Sequence, residues 1–376
     1  MLRTASDLRR SVVPFGGRLS LATGNIVPPV DLGLDLSALT GIHSYLPADL
    51  TLSVASGTTF TEIRDALGER GQELPIDVPF PDHATIGGLI ATGFAGPRRF
   101  GYGSLKDLLI GCEFVRGDGL LGHAGGMVVK NVSGFEIPRF LHGSWGSLAV
   151  LTSVNLKVMP RPRSEATSLI QADSMASGLK QAQGILLSHP SLAACTVTRL
   201  GGEISVAARI MGREKAVEAT SQTLLGDGTI SGRNTVVLDP ASSRAFWQTH
   251  CEDWAGTSND VHVSIGTRPR DVAALVSAVE DRFESIHAPV DLCASPGTGS
   301  VRFRFDQASV RGEQFWDQLD PATLPAQSTA YVESAPAAWK EGVNVWRNDG
   351  AGESLMQAIK QQFDPQGILN PGRLFI

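Results

Sequence analysis

The sequence has few of the residues that build metal centres, disulfide frameworks or membrane spans. Its 376 residues include four cysteines, at 112, 195, 251 and 293, and none of them forms a CxxC pair. This spacing excludes an iron–sulfur cluster held by this chain alone and is typical of a reducing compartment without structural disulfides. No apolar run approaches the roughly 18 residues that cross a bilayer, and the start, MLRTASDLRRSVVPFGG, has no apolar signal segment. We therefore expect a cytoplasmic protein.

Positive charge and several common catalytic motifs are also lacking. The formal net charge of −6 argues against a nucleic-acid-binding protein, which would carry a basic surface. The sequence contains no GxGxxG that opens a βαβ unit and no GxxxxGK[ST], GxSxG or HExxH motif, so a Rossmann dinucleotide fold, a P-loop, a serine hydrolase elbow and a zinc protease site are not supported. The eight histidines are scattered, and we predict no metal site.

Glycine, in contrast, is abundant. There are 41 glycines, and most of the excess precedes residue 150. It concentrates in PFGGRLSLATG (14–24), HATIGGLIATGFAGPRRFGYGSLKD (83–107) and HGSWGSLAVLT (142–152). These segments are either tight turns of a glycine-rich β structure or loops whose amides reach one extended, dinucleotide-like ligand. From the residues alone, both readings stay open.

The order of elements predicts an α+β protein of two main parts. The first part alternates short β-type runs with turns and has a helix over 59–71, for which Thr61 is a plausible N-cap. The proline-rich MPRPR (159–163) marks a boundary. From about residue 166, a βαββαβ order predicts a ferredoxin-like domain with an antiparallel sheet, and a second round follows from 244 to 306. We recognise no clustered polar constellation in this second part.

Several motifs in the first part resemble a known flavoprotein family. HATIGGLIATGFAGPRRFGYGSLKDLLIGCEFVRGDG resembles the core of the vanillyl-alcohol-oxidase (PCMH-type) FAD-binding fold. MVVKNVSGFEIPRFLHGSWGSLAVLTSVNLKVMPRP and the terminal FDPQGILNPGRLF are similar to the small FAD-binding (GlcE-type) subunit of bacterial glycolate oxidase. The resemblance covers roughly residues 11–163 and 360–376. It implies an FAD-binding domain (1–163), a cap or substrate domain (164–340) and a C-terminal segment that returns to the FAD domain (341–376).

The resemblance also implies which residues bind FAD. It places Pro14, Gly16 and Gly17 in the pyrophosphate loop and Gly57 and Thr58 beside the dinucleotide at a strand end. The amides of Thr85, Ile86, Gly87 and Gly88 follow the pyrophosphate and flavin, with Ala91, Thr92 and Gly93 at the flavin. Gly103, Ser104 and Asp107 hold the ribose–adenine side, Gly146, Leu148 and Val150 lie along the adenine, and Asn370 and Arg373 approach the flavin end. We add Arg98, because an arginine among these glycines can contact an anionic group of the cofactor.

The sequence departs from the family pattern at three places. Arg18 replaces a small residue of the pyrophosphate loop and pairs with phosphate or faces solvent. The family's KNVAGYD becomes residues 130–136, KNVSGFE, in which Lys130 and Glu136 could form an ion pair that shapes the loop. The loop PIDVPFPD is shorter than expected. No histidine or cysteine lies in the pyrophosphate loop, which favours noncovalent FAD.

The implied function is FAD-dependent oxidation of a CH–OH group within a complex. Its partners would be a second FAD-binding, catalytic subunit and an iron–sulfur subunit, through which any membrane association would be made. The substrate would be a small 2-hydroxy acid such as glycolate, oxidised to glyoxylate. This chain lacks the HxH pattern of such dehydrogenases, since VHVS (261–264) has one histidine, and its catalytic residues are unknown. His83 is a loop residue or a base. The alternatives are a stand-alone oxidoreductase and a structural subunit that has lost flavin.

Overall fold

The chain divides into two compact units. The computed structural model describes residues 1–127, 136–226, 235–256, 259–319, 324–325, 328–347 and 352–374. Unit 1 comprises Met1–Gly96, Gly103–Arg161 and Asp349–Ile376, and unit 2 comprises Pro97–Tyr102 and Pro162–Asn348. The division at residues 161 and 162 falls within the MPRPR segment. The roles that the sequence assigns to the three predicted parts remain predictions.

The strands of the described residues follow the chain in this order: β1 (Val12–Phe15), β2 (Leu32–Asp35), β3 (Ile42–Leu46), β4 (Thr51–Ala55), β5 (Gln72–Glu73), β6 (Leu109–Arg116), β7 (Leu121–Gly125), β8 (Ala149–Lys157), β9 (Met159–Pro160), β10 (Ser164–Gln171), β11 (Ala194–Leu200), β12 (Glu203–Gly212), β13 (Thr235–Leu238), β14 (Val261–Gly266), β15 (Asp291–Ser295), β16 (Ser300–Phe305), β17 (Thr329–Ser334) and β18 (Trp346–Arg347).

The helices are α1 (Leu2–Asp7), α2 (Phe60–Gly68), α3 (Ile86–Thr92), α4 (Arg99–Tyr102), α5 (Leu105–Leu108), α6 (Ile137–Leu141), α7 (Met175–Ser188), α8 (Glu214–Gly226), α9 (Pro240–Asp253), α10 (Val272–Ser285), α11 (Gly312–Gln318), α12 (Ala337–Lys340) and α13 (Glu353–Phe363). Among the described residues, none of these helices has the length and apolarity that a membrane-spanning segment requires.

Unit 1 is built on a five-stranded antiparallel sheet in the order β3-β4-β8-β6-β7. Alternate residues of β4 and β8, such as Leu52, Val54 and Leu156, are fully buried and form one core with α2 and α3. Strand β1 pairs in parallel with β2 and, through Val12, with Leu369 near the end of the chain. The C-terminal segment is therefore an integral part of unit 1.

Unit 2 is built on a nine-stranded sheet in the order β13-β10-β12-β11-β15-β16-β14-β17-β18, in which every pairing is antiparallel. It contains two successive βαββαβ repeats, β10–β13 with α7 and α8, and β14–β17 with α10 and α11. One face carries Val197, Leu292 and Phe303, which are buried in the same core as residues of α7 and α10. The predicted α+β class with an antiparallel sheet is confirmed, and β15 and β17 are strands that the sequence reading missed.

Helix α2 begins at a different residue from the one predicted. Thr59, not Thr61, is the N-cap: its hydroxyl accepts a hydrogen bond from the Glu62 amide, and the Thr59 amide donates to Glu62 Oε2 at 2.8 Å. The T-x-x-E spacing of a capping box explains the choice, because Thr61 has no acidic residue three positions later. The Thr61 hydroxyl instead donates to Asp82 Oδ1 at 2.6 Å.

We predict that Thr59→Ala weakens the start of α2. Removing the cap leaves helix N–H groups without an acceptor and should lower local stability by about 1 kcal/mol. Amide hydrogen exchange over residues 60–68 measures this as faster exchange. Thr59→Ser retains the hydroxyl and should exchange like the wild type; equal exchange in the alanine variant would contradict the capping role.

Candidate functional site

Five segments of unit 1 form one connected network. They are the turn after β1 (14–18), the turn after β4 (56–58), the start of α3 (85–93), the loop before β8 (142–148) and the C-terminal tail, by which we mean residues 364–374. Most of the predicted FAD-binding residues lie in these segments. Hydrogen bonds and close backbone approaches join each segment to at least one other.

The turn after β1 lies directly against the segment that precedes α3. A Cβ on Gly17 would collide with the His83 carbonyl, and one on Gly16 would collide with the Thr85 hydroxyl. Only glycine permits this approach. Within the described part of the chain, the amides of Gly16 and Gly17 donate no hydrogen bond. Two adjacent amides of this kind, at a turn, are suited to binding an anion.

The start of α3 is bound to the turn after β4. The Ile86 amide donates to Thr58 O at 3.0 Å and the Gly87 amide to Ser56 O at 2.8 Å. A Cβ on Gly87 would lie 2.7 Å from Ser56 Cβ. Both amides thus have acceptors within the chain, and the prediction that this segment follows the pyrophosphate stays a prediction. Their bonds fix α3 against β4 instead.

Other glycines of the site also serve packing between segments. A Cβ on Gly57 would collide with the Leu36 carbonyl. The Thr58 hydroxyl accepts a hydrogen bond from the Gly41 amide at 2.9 Å. Thr85 caps α3, with its hydroxyl 3.4 Å from the amide of Gly88, which is exposed. The glycine pattern thus reflects close backbone packing as well as any approach of a ligand.

The loop before β8 is bound to the end of α3. The Trp145 amide donates to Ala91 O at 2.7 Å, and the Gly143 amide donates to Ile90 O at 3.0 Å. Gly93 ends α3 with φ +68°, and the Thr92 hydroxyl donates to Gly88 O at 2.9 Å. The predicted flavin-side residues 91–93 therefore share one hydrogen-bonded unit with this loop.

The tail meets the same loop through Asn370. The Asn370 amide donates to Val12 O at 2.9 Å, and its Nδ2 donates to Trp145 O at 2.9 Å. Gly146 adopts φ +65°, and a Cβ there would lie 2.9 Å from Asn370 Nδ2 and 3.2 Å from Pro14 Cγ. Pro14, Gly146 and Asn370, predicted from three distant parts of the sequence, are brought together at one point.

Arg373 is fixed by backbone carbonyls. Its guanidinium donates to Ser20 O and Thr23 O, both at 3.0 Å, and to Leu21 O at 3.2 Å. It is 5% exposed, and desolvation lowers its pKa. Arg373 therefore closes the 20–23 loop over the tail, and its predicted approach to the flavin end remains a prediction.

Ser104 and Asp107 contact each other. The Ser104 amide and hydroxyl donate to Asp107 Oδ2 at 2.9 and 3.0 Å, and together they cap α5. The backbone hydrogen bond from Ser104 is the main cause of the lowered pKa of Asp107, so the carboxylate is ionised. Gly103, at φ +79°, supplies the turn before the cap. A helix cap accounts for this motif, and its predicted contact with the ribose stays a prediction.

Three further predicted residues are buried. Leu148 belongs to the main core of unit 1, and Val150 packs in a smaller cluster with Val12 and Leu369. Arg98 is buried but belongs to the Pro97–Tyr102 segment of unit 2. The structure does not group Arg98 with the unit 1 residues.

The sequence departures have mixed outcomes. Arg18, at φ +62°, is largely exposed; its Nη2 lies 3.1 Å from Asp35 Oδ2 and its Cζ 4.7 Å from the Phe15 ring centroid. His83 is exposed. The proposed ion pair of Lys130 with Glu136 lies outside the described residues because Lys130 does.

Unit 2 carries a polar cluster that the sequence reading missed. On the face opposite its core, Arg302 forms a bidentate ion pair with Glu333, and Arg304 Nε donates to Asp291 Oδ2 at 3.0 Å. His262 of β14 lies directly opposite Arg304 in the antiparallel pairing of β14 with β16. We call Arg302, Arg304, Glu333, Asp291 and His262 the polar face. The alternation in SVRFRFD, with phenylalanines on one face and arginines on the other, is the signal that could have revealed it.

Burial strongly lowers the pKa of His262, the histidine of the polar face. It is 2% exposed, and burial, followed by the charges of Arg302 and Arg304, lowers its pKa from 6.5 to about 4. It is therefore neutral at pH 7. Among the described residues, no group of three or more His, Cys, Asp or Glu side chains could hold a metal ion.

Comparison with known proteins identifies two domain matches. Residues 1–125 match the family model of an FAD binding domain, and residues 340–374 match the C-terminal domain of FAD linked oxidases. The second match covers the tail that pairs with β1.

Three similar proteins illustrate the range of relatives. Glycolate oxidase subunit GlcE of Escherichia coli (strain K12) is 35% identical over 202 residues, 53% of this chain and 56% of that one. The chain therefore matches just over half of that relative's length. D-2-hydroxyglutarate dehydrogenase of Xanthomonas citri pv. viticola is 25% identical over 412 residues, 100% of this chain and 86% of that one. The carbohydrate oxidase of Microdochium nivale shares the fold, with a TM-score of 0.70 at 15% identity over 99% of this chain and 88% of that chain.

The residues of the network fit a bound dinucleotide. The Ser56 hydroxyl and Asn370 Oδ1 are buried without a hydrogen-bond partner in the described part of the chain. Such atoms are costly to bury unless a ligand or water satisfies them. Together with the amides of Gly16 and Gly17, they supply donors and acceptors from three of the five segments to a polar ligand.

We predict that Gly87→Ala disrupts the site, whereas Gly88→Ala does not. The new methyl at 87 must push Ser56 and α3 apart, at a cost of roughly 1–3 kcal/mol. At 88 the nearest atom to a Cβ is Thr85 Oγ1 at 3.1 Å, and the position is exposed. Thermal unfolding of the two variants measures the difference. Equal behaviour of the two variants would contradict the packing role of Gly87.

We also predict that His262 makes stability depend on pH. Because its pKa is lower in the folded state, the unfolded chain binds the proton more tightly, and stability falls as pH decreases from about 6.5 to about 4. Between pH 7 and pH 5 the wild type should lose about 2 kcal/mol that His262→Gln does not lose. Urea unfolding followed by tryptophan fluorescence reports this, since five of the six tryptophans lie in unit 2. His123→Gln, at an exposed position, should retain the wild-type dependence.

Proposed function

Because the chain has the PCMH-type FAD-binding fold and its cofactor is FAD, we propose that it is the FAD-binding subunit of a complex that oxidises a small 2-hydroxy acid. The observation that carries this proposal is the FAD binding domain match over residues 1–125, joined to 35% identity with the glycolate oxidase subunit. Glycolate, oxidised to glyoxylate, is the substrate that this similarity favours.

The network in unit 1 supplies the binding part of this function. FAD bound to this chain would carry electrons that the catalytic partner has taken from the substrate towards the iron–sulfur subunit. The amides of Gly16 and Gly17 would donate to the pyrophosphate, and Asn370 Oδ1 and the Ser56 hydroxyl would pair with polar groups of the cofactor. Ser56 and Asn370 are buried, so their surroundings would exclude water and strengthen the bonds that they make.

The cofactor is expected to be noncovalent. All four cysteines are buried thiols outside any disulfide, and burial raises the pKa of the Cys112 and Cys195 thiols to about 12 and of the Cys293 thiol to about 11. Neutral thiols are poor nucleophiles, so these residues are not suited to flavin attachment.

The hydroxy-acid chemistry itself is assigned to partner subunits. We propose a second, catalytic FAD-binding subunit and an iron–sulfur subunit, with electrons passing through the flavins to the iron–sulfur centre. The similarity to a protein that is named as a subunit of glycolate oxidase supports this assignment. In this complex the present chain is cytoplasmic, and any membrane association is made through its partners.

The polar face of unit 2 favours a second candidate, a stand-alone FAD-dependent oxidoreductase. Its two arginines could orient a carboxylate, although Glu333 and Asp291 already pair with them. The D-2-hydroxyglutarate dehydrogenase relative, aligned over the whole of this chain, supports the same candidate.

One experiment separates these functions. The chain is purified alone, and its visible spectrum is recorded anaerobically before and after addition of glycolate or D-lactate. We expect a flavin band, release of all flavin into the supernatant on acid precipitation, and no bleaching by either acid until the partner subunits are added.

The alternative outcomes are equally specific. Failure to carry or take up FAD would refute the cofactor role and favour a structural subunit. Bleaching of the isolated chain would favour the stand-alone enzyme, and Arg302→Met would then be expected to raise KM for the acid. Flavin that stays with the acid precipitate would contradict noncovalent binding.

A further inference from the structure

The strongest feature outside the predicted binding residues is the ammonium of Lys360 near the end of α13, on a side chain that is 16% exposed. Lys360 Nζ donates to Asp364 Oδ2 at 2.6 Å, to Ser147 O at 2.7 Å and to Leu369 O at 2.9 Å. An ammonium has three donors, so these three acceptors satisfy it completely. Two of the acceptors, Asp364 and Leu369, lie in the tail, and the third, Ser147, lies in the loop before β8, so Lys360 joins α13 to both segments.

Asp364 holds the other side of this arrangement. It is 1% exposed; its Oδ1 accepts from the Ile368 amide at 3.1 Å and its Oδ2 from the Leu369 amide at 2.8 Å. A Cβ on Gly117 would collide with this carboxylate, so the turn that follows β6 packs directly against it. A buried carboxylate is tolerated only when its charge is paired and its lone pairs are occupied, as they are here.

Two of the acceptors of Lys360 lie beside the point where three of the five segments meet. Leu369 precedes Asn370, and Ser147 follows Gly146. Asn370 and Gly146 meet there beside Pro14, and Asn370 Nδ2 donates to Trp145 O. Movement of the tail would displace Asn370. Movement of the loop before β8 would displace the Trp145 carbonyl, which accepts from Asn370 Nδ2.

We propose that the Lys360–Asp364 pair positions the residues that bind FAD. The pair itself contacts no part of the cofactor, and it determines FAD affinity by fixing the tail relative to the loop before β8. The pair stabilises the arrangement that presents Asn370 Oδ1 and the carbonyls and amides of the loop. This inference rests on the FAD assignment and does not depend on which substrate is oxidised.

The test uses equilibrium binding to the apoprotein. Lys360→Met keeps the aliphatic stem and removes all three donors. Gln362→Met, at an exposed position of the same helix, is the matched surface control, and Leu67→Ala, which removes a buried side chain of α2, is the stability control. FAD is titrated with each apoprotein and followed by flavin fluorescence, ADP is titrated as a competitor, and urea unfolding of each apoprotein measures its stability.

We expect Lys360→Met to raise the Kd for FAD at least tenfold. It should weaken ADP competition by a similar factor, because Gly146 and Leu148 of the loop before β8 are predicted to lie along the adenine. Leu67→Ala should leave both constants within about twofold at an equal or larger loss of stability, and Gln362→Met should change none of the three readouts. Asp364→Asn, which keeps an acceptor oxygen and removes the charge, should weaken FAD by an intermediate factor and serves if the methionine variant does not fold.

Other results would overturn the positioning role. Unchanged FAD affinity in Lys360→Met, or equal losses of affinity in Lys360→Met and Leu67→Ala, would show that the pair is only structural. Loss of FAD affinity without loss of ADP competition would place its effect away from the nucleotide half. Absence of FAD binding by the wild type would refute the cofactor role itself, which is a separate result.

Discussion

The return of the C-terminal tail to the first strand is the constraint on which unit 1 depends. The Val12 amide donates to Ile368 O and the Asn370 amide donates to Val12 O, so the two ends of the chain form one parallel bridge. This bridge buries Leu369 against Val12 and Val150. It also brings Asn370 to Gly146 and Pro14. The network of five segments is therefore complete only when the last residues of unit 1 have folded onto the first.

Buried charges and close backbone contacts hold this arrangement together. Lys360, Asp364 and Arg373 are all mostly buried, and each meets several hydrogen-bond partners instead of one. Glycines at 17, 57 and 87 remove the side chains that would otherwise keep the same segments apart. The site is therefore rigidly supported from within the protein, which is the condition for binding a long, polar cofactor without a large cost in ordering.

The local pattern predicted a good part of the fold. Strands β1, β4, β6 and β8, helices α2 and α7, and the first βαββαβ repeat could be read from periodicity and turn residues, because those signals act over a few neighbours. The N-cap of α2 was misplaced at Thr61, since the preceding Thr59 and its partner Glu62 were not read as one capping box. The polar face was missed because Arg302 and His262 become neighbours only when β16 pairs with β14.

The sequence by itself determined the fold class and, through its resemblance to a flavoprotein family, the cofactor, because the order of motifs is carried along the chain. Only the tertiary structure decided how individual atoms are used. The amides of Ile86 and Gly87 bind carbonyls of the turn after β4, Ser104 and Asp107 cap a helix, and Lys360 joins the tail to Ser147, which lies 213 residues earlier in the chain. Hydrogen-bond partners depend on which segments are adjacent in space, and that adjacency is set by the packing of the whole unit.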